Sequence, residues 1–442
     1  MEFRFSNLGI VKKAEIELNG ITVITGLNDT GKSFISKGIY SIIKTLNESE
    51  LTINSKKSTS INGLLNQINY THRQVIAFTQ ERLTSFSIAP ITAKVNEVLI
   101  NKRGIKDEIT ALVSTFVDRT IQDLKDNGPK GNPAIIDNRI KIIQQYQEII
   151  NQNLLEQSSS EKFETYFNEE IIQRQFQGQL NDINDEKSSV NIKLNDGATE
   201  ILNFNVFQNK AKINSDYVPV STIFRDATII ESPIVANFER YITYTRAYAD
   251  SAQQQSVQLP NHYVDLTRKI NAGISNSANP FQEILNQIKK IIGGQVVFKP
   301  DQGGIVFIKS NGSVIRVNNM ATGIKSFGIL QILLSSGVIN TSSLLIIDEP
   351  EVHLHPKWEI EYSKLLVLLS KAGVQIIISS HSPYFIQAIS RSAKNEKAPT
   401  IFYFGSISEG EKSSEFTNVT NNLTPILKAL AEPFKEMYNI NA

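Results

Sequence analysis

A glycine-rich run near the N-terminus has the residue types that bind phosphate. It matches the pattern G-x-x-x-x-G-K-[ST] and reads Gly26-Leu27-Asn28-Asp29-Thr30-Gly31-Lys32-Ser33. In this pattern the glycines turn backbone N–H groups towards phosphate, the lysine reaches the β- and γ-phosphates, and the serine hydroxyl binds Mg²⁺. A β-branched strand precedes the run and an apolar helical pattern follows it. The pattern therefore predicts a nucleotide site at Gly26, Asn28, Asp29, Thr30, Gly31, Lys32 and Ser33, with Ser33 as a metal ligand.

Two adjacent carboxylates follow a second apolar run, Leu344-Leu345-Ile346-Ile347-Asp348-Glu349-Pro350. Four apolar residues in succession predict a strand that is buried on both faces. Its acidic end would lie at the carboxyl edge of a sheet, where ligands of α/β proteins bind. In this setting Asp348 is predicted to hold Mg²⁺, and Glu349 is predicted to act as the general base on an attacking water.

A third β-rich run ends in a histidine and reads Ile376-Ile377-Ile378-Ser379-Ser380-His381-Ser382-Pro383. An imidazole at a strand end can hydrogen-bond a γ-phosphate or the attacking water, so His381 is predicted to be catalytic. The chain has five histidines. Two more, His353 and His355, follow the acidic pair closely. A zinc site built from the three is the alternative, but the phosphate site explains the same residues.

A fourth run precedes an apolar helix and reads Asn319-Met320-Ala321-Thr322-Gly323-Ile324-Lys325-Ser326. Thr322 and Gly323 at a helix start could offer N–H groups to an anion. From the residues alone, the run is more typical of an ordinary helix N-cap, and the anion site is the alternative interpretation.

The elements that must position these motifs are strands near both ends of the chain. Strand patterns fill residues 1–26 and recur over 188–231, and helices and strands alternate over 320–405, which is typical of an α/β sheet. Residues 48–187 are polar with helical spacing and predict a helical insertion. We therefore predict one α/β domain made of residues 1–47 and 188–442, interrupted by residues 48–187.

Composition excludes several classes of function. The chain has 442 residues, 40% of them hydrophobic and 20% charged, with a net charge of +1 and no cysteine. Disulfides, thiolate catalysis and cysteine-type zinc sites are excluded, and a nucleic-acid contact would need a local basic patch. No secretory signal pattern begins the chain and no apolar stretch is long enough to span a bilayer. These features predict a cytoplasmic protein with no membrane partner.

The order of the four motifs resembles that of ABC-type ATPases. It is most similar to the AAA-like subfamily related to the overcoming-lysogenization-defect proteins, within the SMC and RecF clade. The resemblance is carried by residues 5–33 and 321–384. It implies an α/β, ABC-type P-loop ATPase head, with a mixed or parallel sheet flanked by helices and interrupted by the helical insertion. It also implies ATP and Mg²⁺ as ligands.

The resemblance further implies a composite site. Met320 to Lys325 stands where the signature loop of such proteins stands, so Thr322, Gly323 and Lys325 would contact nucleotide held by the opposite subunit of a head-to-tail dimer. Ala321 replaces the usual hydroxyl residue, which leaves the efficiency of hydrolysis open. For the glutamine loop, Gln80 and the end of a strand at Glu231-Ser232-Pro233 are both candidates.

Three functions compete. The first is a regulatory ATPase of a phage-defence system that acts on a separate effector (nuclease or toxin). Relatives often carry a Toprim nuclease domain, and the stretch after the helix that follows Ser380-His381-Ser382-Pro383 is too short for one. The second is a DNA-repair or chromosome-maintenance ATPase of the SMC or RecF type, which would need a basic face for DNA. The third is a protein that holds ATP structurally and scarcely turns over. The expected partners are a second copy of the chain, in a homodimer or higher homo-oligomer, and a separate effector protein, with DNA as the alternative partner.

Overall fold

The computed structural model describes residues 1–76, 87–100, 106–128, 133–180, 189–215, 224–252, 259–274 and 278–439. The chain divides into two compact units. One comprises Met1–Asn47 together with Phe167–Ala442, and the other is Glu48–Tyr166. The predicted boundaries of the insertion, 48–187, include residues 167–175, which belong to the first unit. Phe167 accounts for part of this, because its ring packs edge-on against Phe204 with 4.9 Å between centroids.

An eleven-stranded mixed sheet organises the first unit, in the order β6-β5-β4-β1-β2-β14-β13-β3-β12-β11-β7. Its strands are β1 Glu2–Leu8, β2 Val11–Glu17, β3 Ile21–Gly26, β4 Val190–Asp196, β5 Thr199–Phe207, β6 Lys210–Ile213, β7 Asp226–Ile230, β11 Ser343–Asp348, β12 Gln375–Ser380, β13 Thr400–Ile407 and β14 Ser414–Asn418. A smaller antiparallel sheet contains β8 Gly294–Lys299, β9 Gly304–Lys309 and β10 Val314–Arg316.

The helices of the first unit cover the sheet. They are the start of α1 Lys32–Ile76, then α6 Glu239–Ala252, α7 Asn261–Ile270, α8 Gln282–Ile292, α9 Thr322–Ser335, α10 Pro356–Lys371, α11 Pro383–Glu396 and α12 Thr424–Asn439. Short 3-10 turns occur at Pro233–Phe238, Pro300–Gln302 and Val317–Asn319, and a π-helix spans Phe167–Gln175. The predicted α/β class, with a mixed sheet flanked by helices, is confirmed.

Five parallel strands at one end of the sheet are its most apolar part. β3 and β11 are buried along their whole length, as expected for strands covered on both faces. Their side chains join those of α9 and α10 in the main core, where Phe327, Tyr362 and Phe385 are fully buried. Because β13, β3, β12, β11 and β7 run parallel, their carboxyl ends lie along one edge of the sheet.

The second unit is built from helices alone among its described residues. It contains the remainder of α1, then α2 Ala89–Leu99, α3 Lys106–Asn127, α4 Pro133–Leu154 and α5 Ser159–Tyr166. Its core is aliphatic, with Leu65, Val95, Val113 and Ile143 all fully buried. The helical character predicted for the insertion is therefore present, and the 45-residue length of α1 exceeds what the sequence pattern indicated.

A buried cluster of charges fastens α1 and α7 to the edge strand β7. Lys44 lies 2.9 Å from Asp226 and 3.1 Å from Asp265, and Lys269 lies 2.7 Å from each of the same carboxylates. Burial alone would raise the pKa of Asp265, but Lys269 and Lys44 outweigh it and lower that pKa to about 2. The paired geometry compensates charges that would be costly to bury alone.

Two strands were not predicted, and both are short and polar. β6 has four residues and forms an edge of the sheet, and β14 alternates buried and exposed positions over Ser-Glu-Phe-Thr-Asn. Such segments lack the apolar run that marks a strand in sequence. Within the part of the chain that is described, no helix is both long enough and apolar enough to cross a bilayer.

Candidate nucleotide site

Three of the four motifs meet at the carboxyl edge of the parallel strands. Thr25 in β3 pairs with Ser380 in β12, and Ser379 pairs with Asp348 in β11. The phosphate-binding pattern, the acidic pair and His381 therefore leave the sheet side by side. Each motif can be recognised in the sequence on its own, and the strand order β3-β12-β11 brings the three together in the fold.

The glycine-rich loop has the backbone of a phosphate cradle. Asp29 and Gly31 adopt positive φ angles of 62° and 85°, which turns successive N–H groups to one side. Gly31 tolerates no side chain, since a Cβ there would lie 2.5 Å from the Cγ2 atom of Val11. Thr30 is buried and donates from its hydroxyl to the Leu27 carbonyl at 2.9 Å, so its side chain shapes the loop from within. Asn28 and Asp29 are exposed.

Lys32 begins α1 and curls back over the loop. Its Nζ donates to the carbonyl oxygens of Leu27 at 2.9 Å and Gly26 at 3.2 Å. Burial lowers the pKa of Lys32, although the nearby carboxylates of Glu349 and Asp348 act in the opposite direction. An ammonium held within the cradle is positioned to meet an anionic ligand there.

Asp348 lies between two serine hydroxyls. Ser33 donates to its Oδ2 at 2.8 Å, and Ser379 donates to its Oδ1. Burial raises the pKa of Asp348, and the charges of Glu231 and Glu349 raise it further, against the effect of the two serine hydrogen bonds. A buried carboxylate beside a hydroxyl and two further carboxylates favours a divalent cation with oxygen ligands. The residues therefore fit Mg²⁺, which takes one or two carboxylates plus substrate oxygens.

Glu349 occupies a strained backbone conformation at the end of β11. Its φ angle is 47°, which is unusual for a residue with a side chain and is typical of functional sites. Its N–H donates to the Ser379 carbonyl at 2.9 Å, which fixes the turn against β12. Its Oε1 atom lies 3.0 Å from Nδ1 of His381. The predicted general base and the predicted catalytic histidine are thus a hydrogen-bonded pair.

Glu351 is a site residue that sequence analysis missed. Its Oε1 accepts hydrogen bonds from the Ser380 hydroxyl at 2.7 Å, the His381 N–H at 3.0 Å and the Ser382 N–H at 3.1 Å. It is buried, and its Oε2 has no hydrogen-bond partner among the described residues. Glu351 therefore holds the loop that carries His381. The sequence gives no signal for this role, because Glu351 is simply one more acidic residue after Asp348 and Glu349.

The signature-like run lines a separate cavity of about 430 Å³. The side of the cavity formed by the α9 start consists of Ala321, Thr322 and Gly323, and the facing side consists of His353, His355, Lys357 and Trp358. A Cβ on Gly323 would lie 2.7 Å from the Trp358 ring, so the close approach of this loop to α10 requires glycine. The loop that starts at Glu349 continues into this cavity.

Lys325 lies in the first turn of α9 and is buried, with its pKa lowered by that burial. No hydrogen bond or ion pair among the described residues joins Thr322, Gly323 or Lys325 to the phosphate loop. Within one chain, the structure thus brings together Gly26 to Ser33, Asp348, Glu349 and His381, and places the signature-like residues at a second cavity.

Of the two candidates for the glutamine loop, Glu231 follows β7, the neighbour of β11, at the same sheet edge. Gln80 lies outside the described residues. As for the zinc alternative, the described residues contain no group of three or more metal-binding side chains. His381 instead bonds Glu349, and His355 accepts from the Lys357 N–H as the N-cap of α10.

The chain is similar in fold to head domains of SMC proteins, at low sequence identity. The head domain of SMC from Thermotoga maritima is 11% identical, with 95% of this chain and 98% of that chain covered and a TM-score of 0.39. An SMC head crystallised with the C-winged helix domain of ScpA is 13% identical, with 97% and 98% covered and a TM-score of 0.40. Among curated proteins, none matches the chain.

A protein-family comparison is more informative. The model of the AAA ATPase domain matches residues 1–386, which include the phosphate loop, the acidic pair and His381. The match thus covers most of the chain, including every residue of the cluster formed by the phosphate loop, Asp348, Glu349 and His381. The chain belongs to the AAA ATPase domain family and is a P-loop ATP hydrolase.

Proposed function

We propose that this ATPase closes head-to-tail with a second copy around ATP, and that this closure regulates a separate effector protein of a phage-defence system. The observation that supports a dimer is that the motifs of one chain lie at two different sites. The phosphate loop, Asp348 and Glu349 form one cluster, and Thr322 and Gly323 line a different cavity on the same chain. A second copy related by a two-fold axis would supply the missing half of each site.

In this proposal the phosphate loop holds the β- and γ-phosphates through its N–H groups and Lys32. Ser33 and Asp348 would hold Mg²⁺, which when bound would stabilise negative charge on phosphate oxygens. The cavity of the second copy then covers the γ-phosphate with the N-terminus of α9. Lys325 and the nearby Lys357 add positive charge on that side, which offsets the absence of a hydroxyl at Ala321.

Hydrolysis itself requires a positioned water and a proton acceptor. Glu349 accepts a proton as the water oxygen bonds the γ-phosphorus, and the bond from that phosphorus to the β–γ bridging oxygen breaks to release ADP and phosphate. His381 fixes the Glu349 carboxylate through the 3.0 Å contact, and Glu351 fixes the His381 loop in turn. The chain contributes positioning and electrostatics, with no covalent intermediate.

Light scattering after size exclusion tests the dimer. We expect Glu349→Gln with ATP to shift from a monomer of 49.4 kDa to about twice that mass, because bound ATP is retained between two copies. Lys32→Ala is the matched control and should remain monomeric under the same conditions. A mass that ATP leaves unchanged in Glu349→Gln would contradict nucleotide-driven closure.

A measurement of ATP turnover by the wild-type protein, with and without duplex DNA, distinguishes the regulatory role from a role in DNA maintenance. We expect ATP turnover to be unchanged by duplex DNA and to change when the product of a neighbouring gene is added. A several-fold rise with DNA that disappears at high salt would instead favour the DNA-repair function, because phosphate contacts are screened by salt.

A further inference from the structure

A buried histidine contacts Glu231, at the same sheet edge as the nucleotide site, and takes no part in the chemistry described so far. His262 lies near the start of α7, and its side chain is only 1% exposed. Its Nε2 atom lies 2.6 Å from Oε2 of Glu231, and its Nδ1 atom lies 2.9 Å from Nε2 of Gln175. The side-chain oxygen Oε1 of Gln175 also accepts a hydrogen bond from the backbone N–H of His262 at 3.2 Å. His262 is therefore held on both sides.

The hydrogen-bond partners define which atoms of Gln175, His262 and Glu231 carry protons; these three residues are the chain of side chains referred to below. Burial lowers the pKa of His262, which favours a neutral imidazole. The Glu231 carboxylate can only accept, so the imidazole donates from Nε2. Nδ1 is then an acceptor, and the amide N–H of Gln175 is the donor that it requires.

Glu231 links this chain of side chains to the nucleotide site. Its Oε1 atom lies 2.8 Å from Nζ of Lys37, which is one helical turn after Ser33 on α1. Burial alone would raise the pKa of Glu231, but the hydrogen bond from His262 and the charge of Lys37 hold it well below its usual range. Ile230 of β7 pairs with Ile347 of β11, so Glu231 leaves the sheet beside Asp348, the predicted metal ligand. The position of the Glu231 carboxylate therefore affects the charge close to that ligand.

The other end of the chain of side chains is an unusual helix. Gln175 is the last residue of the π-helix Phe167–Gln175, and the carbonyl oxygen of Glu170 in the same helix accepts from the Asn261 amide at 2.7 Å. π-helices are rare, and they occur frequently at functional sites. This helix follows directly in sequence on the helical unit that ends at Tyr166.

We propose that His262 is a positioning residue for ATP hydrolysis: it holds the Glu231 carboxylate beside the Ser33–Asp348 pair, and Gln175 of the π-helix holds the imidazole. A change in the π-helix would then reach the nucleotide site through three side chains. The proposal rests on ATP hydrolysis, as proposed above. Light scattering tests the dimer and the kinetics below test His262, so the failure of one can be told from the failure of the other.

The test compares His262→Phe with His262→Gln in steady-state ATP hydrolysis. Phenylalanine removes both hydrogen bonds, and we expect kcat to fall by about 10- to 100-fold, since a small displacement of a site group has that effect. The affinity for ATP without Mg²⁺ should stay within about twofold of wild type, because the phosphate loop is untouched, and half-saturation by Mg²⁺ should move to higher concentration. The glutamine amide can donate to Glu231, so His262→Gln should recover most of kcat.

The control is a second buried histidine–carboxylate pair. His72 lies 2.6 Å from Asp123 in the helical unit, and its side chain is 3% exposed. His72→Phe removes a contact of the same kind and should leave kcat unchanged. Wild-type kcat in His262→Phe would overturn the proposal. So would an equal loss of kcat and Mg²⁺-free ATP affinity in all three variants, which indicates general destabilisation. Gln175→Leu should reproduce a weaker form of the His262→Phe effect, and it decides the matter if His262→Phe does not fold.

Discussion

Glu349→Gln is expected to lower kcat for ATP hydrolysis by about 10²- to 10⁴-fold, the range for loss of a general base. The amide keeps the size of the side chain and can still contact His381, so the strained turn at the end of β11 should survive. ATP affinity should stay near that of wild type, because the phosphate loop is intact. Single-turnover hydrolysis and equilibrium binding of ATP measure the two quantities separately.

The matched control for this change is Glu361→Gln. Glu361 lies on α10 and pairs with Lys364 at 2.9 Å on the surface. Exposed pairs of this kind contribute little, so kcat should not change. If Glu349→Gln retained more than about a tenth of wild-type kcat, another group would have to take the proton, and the assignment of Glu349 would be wrong.

Lys32→Ala is expected to abolish both binding and turnover, with at least about a 100-fold loss in ATP affinity. The ammonium is the positive side chain held inside the cradle, with contacts to the Gly26 and Leu27 carbonyls, and its removal leaves phosphate charge uncompensated. Isothermal titration with a non-hydrolysable ATP analogue measures this loss. Lys371→Ala is the control, because Lys371 pairs with Glu396 on the surface. Wild-type affinity in Lys32→Ala would show that nucleotide binds elsewhere.

Much of the nucleotide site could be predicted from the sequence because its residues are contiguous. Residues 26–33 form one loop, and Asp348 and Glu349 follow one apolar strand, so local patterns reveal both. The sheet order could not be predicted, because it depends on pairing between strands more than 300 positions apart, as in β3 with β12. The contact between Ser33 and Asp348 exists only through that pairing.

The residues that sequence analysis missed act through single side chains from distant elements. Glu351 looks like one more acid in an acidic turn, and its three hydrogen bonds to the His381 loop appear only in the fold. Gln175 lies near glutamine-rich helices whose side chains are typical of solvated faces, yet it is buried against His262. A lone buried histidine has no sequence pattern, because its partners come from β7 and from the π-helix.

The composite nature of the site is the central claim, and mixing two inactive variants tests it most directly. Lys32→Ala has no phosphate cradle but keeps the cavity at α9. Gly323→Asp keeps the cradle but places a carboxylate in that cavity and presses on Trp358. Each alone should be nearly inactive. A mixed dimer has one intact site, made of the cradle of Gly323→Asp and the cavity of Lys32→Ala, so an equal mixture should hydrolyse ATP well above the sum of the two variants, at about a quarter of wild-type turnover if the chains pair at random. Turnover no greater than the sum of the two variants would show that each chain hydrolyses ATP without the other, and would contradict the account.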